Sequence, residues 1–183
     1  MKLETNGKKY KVIYADPPWK HQEDGRPIHY KRMTFDELKN LPIKEISDKN
    51  CMLFLWACFP LLKESLELID VWGFQYKTVA FTWVKKNRNK PTPFMGLGKW
   101  TRSNAEICLL GIKGKPKRYK KDVQQVILSS IKNHSEKPIE VKTRIDRLCG
   151  DVSKIELFAR DRFGKDWDYY GNELSKTIQK RIT

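Results

Sequence analysis

The chain is poor in the residues that build metal centres and disulfide scaffolds. Of its 183 residues only four are cysteine and three are histidine. No CxxC occurs, Cys51, Cys58 and Cys108 lie in apolar runs typical of reduced, buried thiols, and His21, His29 and His134 lack metal-ligand spacing. No zinc or other metal site is expected. The longest apolar stretch, "MLFLWACFPLL" at 52–62, is too short to span a bilayer and contains Pro60. The opening "MKLETNGKKY" has no apolar core of a secretory signal, so a soluble, reducing compartment is expected. There are no internal repeats and no low-complexity linker. The glycine-rich phosphate loop of common nucleotide-binding folds is also missing.

Acidic residues are scarce as well: 22 against 37 basic ones, a formal charge of +15. Such an excess suits a polyanionic partner, although surface lysine also serves solubility. Between Lys85 and Lys121 stand twelve cations and a single acid, Glu106, so this stretch carries +11 of the +15. Lysine outnumbers arginine, which leans toward an AT-rich genome such as that of a low-GC bacterium or its phage. At this length one domain is expected, residues 1–183.

Hydrophobic patterning predicts an α/β domain with a mostly parallel sheet. Strands are predicted at 10–15, 51–57, 76–84, 105–112, 123–129 and 154–159, the last of the series. Thr34 and Glu37 form a capping box ahead of "FDELKNL". A helix runs from Pro60 to a stop at Gly73, and another starts at Pro138 and ends before Gly150. In such sheets ligands bind beyond the carboxyl ends of the strands, where Asp16, Arg160 and the loop after Val84 could share one rim.

"YADPPW", residues 14–19, closes the first strand. Two prolines stop a ladder, and the residue before proline is held extended, so a plain turn is one reading. The other is a rigid base pocket. Asp16 accepts one N–H of a nucleobase amino group, the Pro17 carbonyl, held by Pro18, accepts the second, and Trp19 offers a flat face to an unstacked base. Catalysis would then be chiefly positioning.

Seven blocks in order, "ADPPW", "MLFLWA", "WVKKN", "GKWTRSNAEICLLGIKG", "HSEKPIE", "IELFARDR" and "WDYYGNEL", resemble the DPPW-type N6-adenine methyltransferase family. That family includes catalytic subunits of eukaryotic messenger-RNA adenine methyltransferases and small bacterial and phage DNA adenine methyltransferases. The resemblance implies a Rossmann-like fold with permuted motif order and S-adenosylmethionine as cofactor. It places the cofactor carboxylate on Lys137, where a cation beside a helix start suits an anion. It also implies that Glu156, Phe158 and Arg160 line the cofactor pocket, and that Asn172 and Glu173 bond its adenosine part. Near the target base it implies Tyr30, Trp100, Arg102, Asn104 and Glu106. The larger members carry an acidic segment ahead of DPPW that touches the cofactor; here Glu4 is the sole acid before Tyr14.

The expected activity is methylation of the adenine amino group, with DNA placed ahead of RNA. The alternatives are RNA methylation and a non-catalytic nucleic-acid-binding subunit. No separate recognition domain fits this length, so specificity is expected to be short or relaxed, or to come from a homodimer. The expected location is the cytoplasm of a bacterial or phage-infected cell.

Overall fold

A computed structural model describes residues 7–20, 32–98, 100–132, 136–164, 166–171 and 174. Tyr30, Asn172, Glu173, the three histidines and the C-terminal tail lie outside the described residues.

Among the described residues seven strands form one sheet in the order β5-β3-β4-β2-β1-β6-β7. They are β1 (Tyr10–Ala15), β2 (Ser47–Ala57), β3 (Gln75–Lys86), β4 (Ala105–Lys113), β5 (Val126–Ser130), β6 (Lys154–Leu157) and β7 (Trp167–Tyr170). The helices are α1 (Phe35–Lys39), α2 (Ile43–Ile46), α3 (Leu62–Val71) and α4 (Glu140–Cys149). β4 pairs antiparallel with both β2 and β3, whereas every other pairing is parallel, so β4 alone runs backwards.

Both faces of the sheet are covered. Ile13, Ala15, Leu53 and Leu55 pack with Leu38 of α1 and Leu68 and Ile69 of α3. On the other face, Val12, Tyr14, Phe54, Trp56, Phe81 and Trp83 pack with Val141 and Ile145 of α4. A strand buried on both sides has no polar face to alternate with, which is why β2 reads as a continuous apolar run. Each fully buried Leu or Ile of this kind contributes about 1.5–3 kcal/mol.

The capping box forms as expected: Glu37 N–H donates to Thr34 Oγ1 at 3.2 Å and Thr34 N–H donates to Glu37 Oε2 at 2.7 Å. A 3-10 turn over Phe59–Leu61 precedes α3, and Gly73, at φ +84°, follows its end. Several boundaries differ from expectation. β2 begins four residues early, β5 starts at Val126 rather than 123, and β6 stops at Leu157 because Phe158 turns into the left-handed region at φ 62°. The 154–159 strand is not the last. Trp167–Tyr170 adds β7, a four-residue edge strand defined by its parallel pairing with β6 rather than by its own pattern.

This topology positions the site. β1 lies between β2 and β6, and the chain winds away from it toward β5 on one side and β7 on the other. The crevice beyond the end of β1 is therefore the switch point where ligands bind in such sheets. Because β4 is reversed, it brings its first residues, Ala105 and Glu106, to that same rim.

The described cations of 85–121 fall at two ends of the sheet. Lys85, Lys86, Arg88, Lys90 and Arg102 belong to the rim that carries Asp16. Lys113 ends β4 opposite Cys51, near the start of β2, so the cations from 113 to 121 lie toward the other end of the sheet. Lys99 lies outside the described residues.

Candidate active site

The DPPW segment makes both a turn and a pocket wall. Ala15 pairs with Leu55 on one side and Leu157 on the other, and Asp16 is the next residue past the ladder. Pro17 and Pro18 have no N–H to continue it. The Pro17 carbonyl accepts the Trp19 N–H at 2.9 Å, and the Pro18 carbonyl accepts the Met33 N–H at 2.8 Å. A carbonyl oxygen has two lone pairs, so Pro17 keeps one for a further donor. Trp19 is 9% exposed and its indole N–H donates to the Trp56 carbonyl at 3.3 Å. It belongs to the core with one edge on the cleft, rather than standing free as a stacking face.

A cleft of about 280 Å³ opens here. Asp16, Pro17, Trp19, Trp56, Lys85, Glu106 and Lys137 line it, with Cys58, Phe59 and Pro60 on one wall and Ser103 and Ala105 on another. Charges run across its floor in alternation. Lys85 Nζ lies 2.5 Å from Glu106, Glu106 lies 3.3 Å from Lys137 Nζ, and Lys137 Nζ lies 2.8 Å from Asp16 Oδ2. Lys137 also stands 5.3 Å from the centre of the Trp56 ring.

Burial sets the electrostatics. Burial alone would lower the Lys137 pKa, but the Asp16 and Glu106 carboxylates outweigh it and push the ammonium up. Glu106 is likewise disfavoured as an anion by burial, but Lys137 and Lys85 together hold its carboxyl below the usual range. Asp16 differs. Burial raises its carboxyl, and Lys137, shared with Glu106, offsets only part of that. Arg160 is close enough to pull it down slightly as well.

The β6 side forms a second group. Glu156 pairs with Tyr14 in the ladder, and its carboxylate accepts from Lys142 Nζ at 2.7 Å. Lys142 is buried on α4, donates to the Phe163 carbonyl at 2.6 Å, and sits 4.5 Å and 5.0 Å from the ring centres of Tyr169 and Trp167. Burial raises the Glu156 carboxyl against the pull of Lys142. Among the described residues Phe158 is the only non-glycine at positive φ, which marks strain at the end of β6.

Asp16, Pro17, Trp19, Glu106 and Lys137 are thus brought into one cleft. Trp100 is not: it is 98% exposed, and Arg102 is exposed beside it. Asn104 contributes its carbonyl, which accepts the Lys85 N–H at 2.8 Å. Sequence reasoning missed Lys85, Cys58, Phe59 and Pro60 as lining residues. Alternation in β3 gave a usable signal for Lys85, which lies two residues beyond buried Trp83 and stands 5.1 Å from its ring. Among the described residues no group of His, Cys, Asp and Glu is arranged to hold a metal ion, and no helix is long and apolar enough to cross a membrane.

The cleft fits the donor set that S-adenosylmethionine requires. An ammonium has three donors. Two of those on Lys137 face Asp16 and Glu106, leaving one for an incoming carboxylate. Phe59 and Pro60 supply an apolar wall.

Comparison with known proteins agrees with this geometry. The MT-A70 family model matches residues 10–173. A type II methyltransferase, M.MunI of Mycoplasma sp, is 36% identical over 91% of this chain and 78% of its own length. The human N(6)-adenosine-methyltransferase catalytic subunit METTL3 is 33% identical, and an MT-A70-like protein of Drosophila melanogaster 31%, each over 91% of this chain. The chain spans only 28% and 27% of those two proteins. With nearly its whole length matched and the DPPW cleft formed at the end of β1, the chain belongs to the MT-A70 family of S-adenosylmethionine-dependent methyltransferases.

Proposed function

We propose that the chain methylates the N6 amino group of adenine in DNA. The observation that carries this reading is the placement of Asp16: a carboxylate directly past a central parallel strand, in a cleft edged by Trp19 and Trp56 and beside the largely buried Lys137.

Bound S-adenosylmethionine supplies a methyl carbon made electrophilic by its sulfonium. The chain's own part is positioning. Asp16 accepts one N–H of the adenine amino group, and the remaining lone pair of the Pro17 carbonyl accepts the other. Both contacts localise the nitrogen lone pair and aim it at the methyl carbon. Orientation of this kind supplies a large share of the barrier lowering. Lys137 holds the cofactor carboxylate with its third donor, while Glu106 and Lys85 fix Lys137 from behind. Arg160 and Phe158 extend the cofactor side along the end of β6, with Glu156 held by Lys142. Asn172 and Glu173 complete the adenosine contacts. On the exposed loop, Trp100, Arg102 and Asn104, with Tyr30, meet the nucleic acid around the target base.

DNA is favoured because the type II methyltransferase is matched over most of its own length, whereas the N(6)-adenosine-methyltransferases are matched over about a quarter. The comparable identity to METTL3 keeps RNA as the second reading. The compartment this activity implies is the bacterial or phage-infected cytoplasm.

The test is incubation with S-adenosylmethionine and matched unmethylated DNA and RNA duplexes and single strands, followed by digestion and mass spectrometry of the nucleosides. N6-methyldeoxyadenosine from DNA supports the proposal, and N6-methyladenosine from RNA alone replaces it with the second reading. If neither forms, a binding subunit that needs a catalytic partner is the better description.

A further inference from the structure

The connection from β3 to β4 carries apolar side chains with no core to enter. Met95 and Leu97 are 72% and 78% exposed, while Gly96 between them is buried. The backbone fixes both at the mouth of the cleft. Lys85, which lines the cleft, holds both arms of the connection: its N–H donates to the Asn104 carbonyl and its carbonyl accepts the Phe94 N–H, each at 2.8 Å. A Cβ on Gly96 would run into the Ser103 carbonyl, and one on Gly98 into the Thr101 carbonyl and Ser103 Oγ. Ser103 is itself part of the cleft wall. Only glycine lets the backbone on either side of Leu97 lie this close against that wall.

Charge narrows what these side chains meet. From Lys86 to Ala105 the chain holds Lys86, Arg88, Lys90, Lys99 and Arg102 and no acid. Such a rim attracts phosphates and repels another copy of a chain that carries +15. Asp16 lies inside the cleft with its side chain 31% exposed, so an adenine cannot meet it while stacked in a duplex. Extruding that adenine costs a few kcal/mol and leaves a gap between the neighbouring base pairs. Leucine and methionine are among the apolar side chains that enter opened base steps and offset this cost.

We infer that Leu97, with Met95 beside it, is a wedge that enters the duplex where the target adenine leaves and so holds that base out for Asp16. The wedge rests on the proposed reading only in that a base is drawn from a paired strand into the cleft. It makes the base-paired form the substrate class, because a single strand offers no gap to fill.

The test compares wild type with the variant Met95→Gln, Leu97→Gln, which keeps side-chain length and removes the apolar surface. Both positions are exposed, so the fold is retained. One arm measures, by fluorescence anisotropy, binding of a labelled 20-base-pair DNA duplex with one abasic position and of the same duplex intact. Wild type should bind the gapped duplex at least fivefold more tightly, since no base has to be unstacked, and the variant should bind the two within twofold of each other. A second arm measures S-adenosylmethionine-dependent methylation of one unmethylated DNA, native and heat-denatured. The ratio of native to denatured activity should fall at least tenfold in the variant.

Equal binding of gapped and intact duplexes by wild type would overturn the wedge, as would a gap preference that survives in the variant. Parallel losses on native and denatured DNA would overturn it too, since the side chains would then touch the strand itself, and so would wild-type activity confined to denatured DNA. A wild-type dimer that the variant splits, with no gap preference, would assign the two side chains to a second copy of the chain. The binding arm needs no turnover. If no DNA is methylated the proposed activity falls, and the same comparison on gapped and intact DNA and RNA duplexes still decides the wedge.

Discussion

The indole N–H of Trp56 donates to the phenol oxygen of Tyr14 at 2.7 Å, tying β2 to β1 two residues before Asp16. Both side chains are buried, and the Trp56 ring is also the one that faces the Lys137 ammonium. Tyr14→Phe keeps the ring and removes the acceptor, leaving a buried indole donor without its partner. The expected cost is about 1–3 kcal/mol in urea unfolding. An unchanged midpoint would mean that the bond adds nothing to the fold.

Asp16 should show opposite effects on activity and stability. Protonated, it loses its role as a pure acceptor, so activity is lost as pH falls through its raised pKa. The acid limb of kcat should therefore lie above the ordinary carboxylate range. The stability sign is reversed. A carboxyl whose folded pKa exceeds its unfolded value stabilises the fold while protonated, and that contribution disappears as pH rises through the folded value. Asp16→Asn is neutral at every pH, so near neutrality its Tm should equal or exceed that of wild type while turnover falls by about 100-fold or more. A marked drop in Tm would show Asp16 to be a structural residue first.

Lys142 and Glu156 form a largely buried pair, and breaking it should cost more than removing it. Lys142→Met leaves the mostly buried Glu156 carboxyl without its cation, a loss of up to about 3 kcal/mol, since the carboxyl keeps some solvent and its pKa is already raised. Adding Glu156→Gln should restore part of that stability. Equilibrium unfolding of both single variants and the double variant gives the coupling, and strict additivity would argue against the pair acting as a unit.

Gly150 closes α4 at φ +73° and ψ −162°, a conformation open essentially to glycine alone. A Cβ there would also stand 3.0 Å from the Tyr119 ring. Gly150→Ala is expected to lose about 1–3 kcal/mol by thermal or urea unfolding, whereas Gly7→Ala, also at positive φ but with no atom of the described residues within 4 Å of the added carbon, should lose less.

What the sequence made legible was local. The capping box, the stops at Gly73 and Gly150, and the turn at Asp16–Trp19 each depend on neighbours a few residues away. The apolar run of β2 announced a strand covered on both faces. The Lys137–Asp16 contact joins residues 121 positions apart, and Lys142–Glu156 joins two elements whose adjacency depends on strand order. Neither strand order nor the reversal of β4 leaves a mark on hydrophobic spacing. That is why the sequence alone did not place the cations from Lys113 onward at the opposite end of the sheet from Asp16. β7 was missed for a related reason: four residues at an edge carry too little pattern of their own.

The reversal of β4 bears on engineering. Residues 87–104 connect two antiparallel neighbours whose ends are already held together by the Lys85–Asn104 hydrogen bond. Doubling the length of such a loop costs only about 0.6 kcal/mol of closure entropy. The connection is thus a graft point: foreign recognition loops of varied length can be spliced between Arg88 and Arg102, which keeps Ser103 in the cleft wall and the Asn104 carbonyl on Lys85, and retargeting becomes a matter of exchanging one insert on an unaltered sheet.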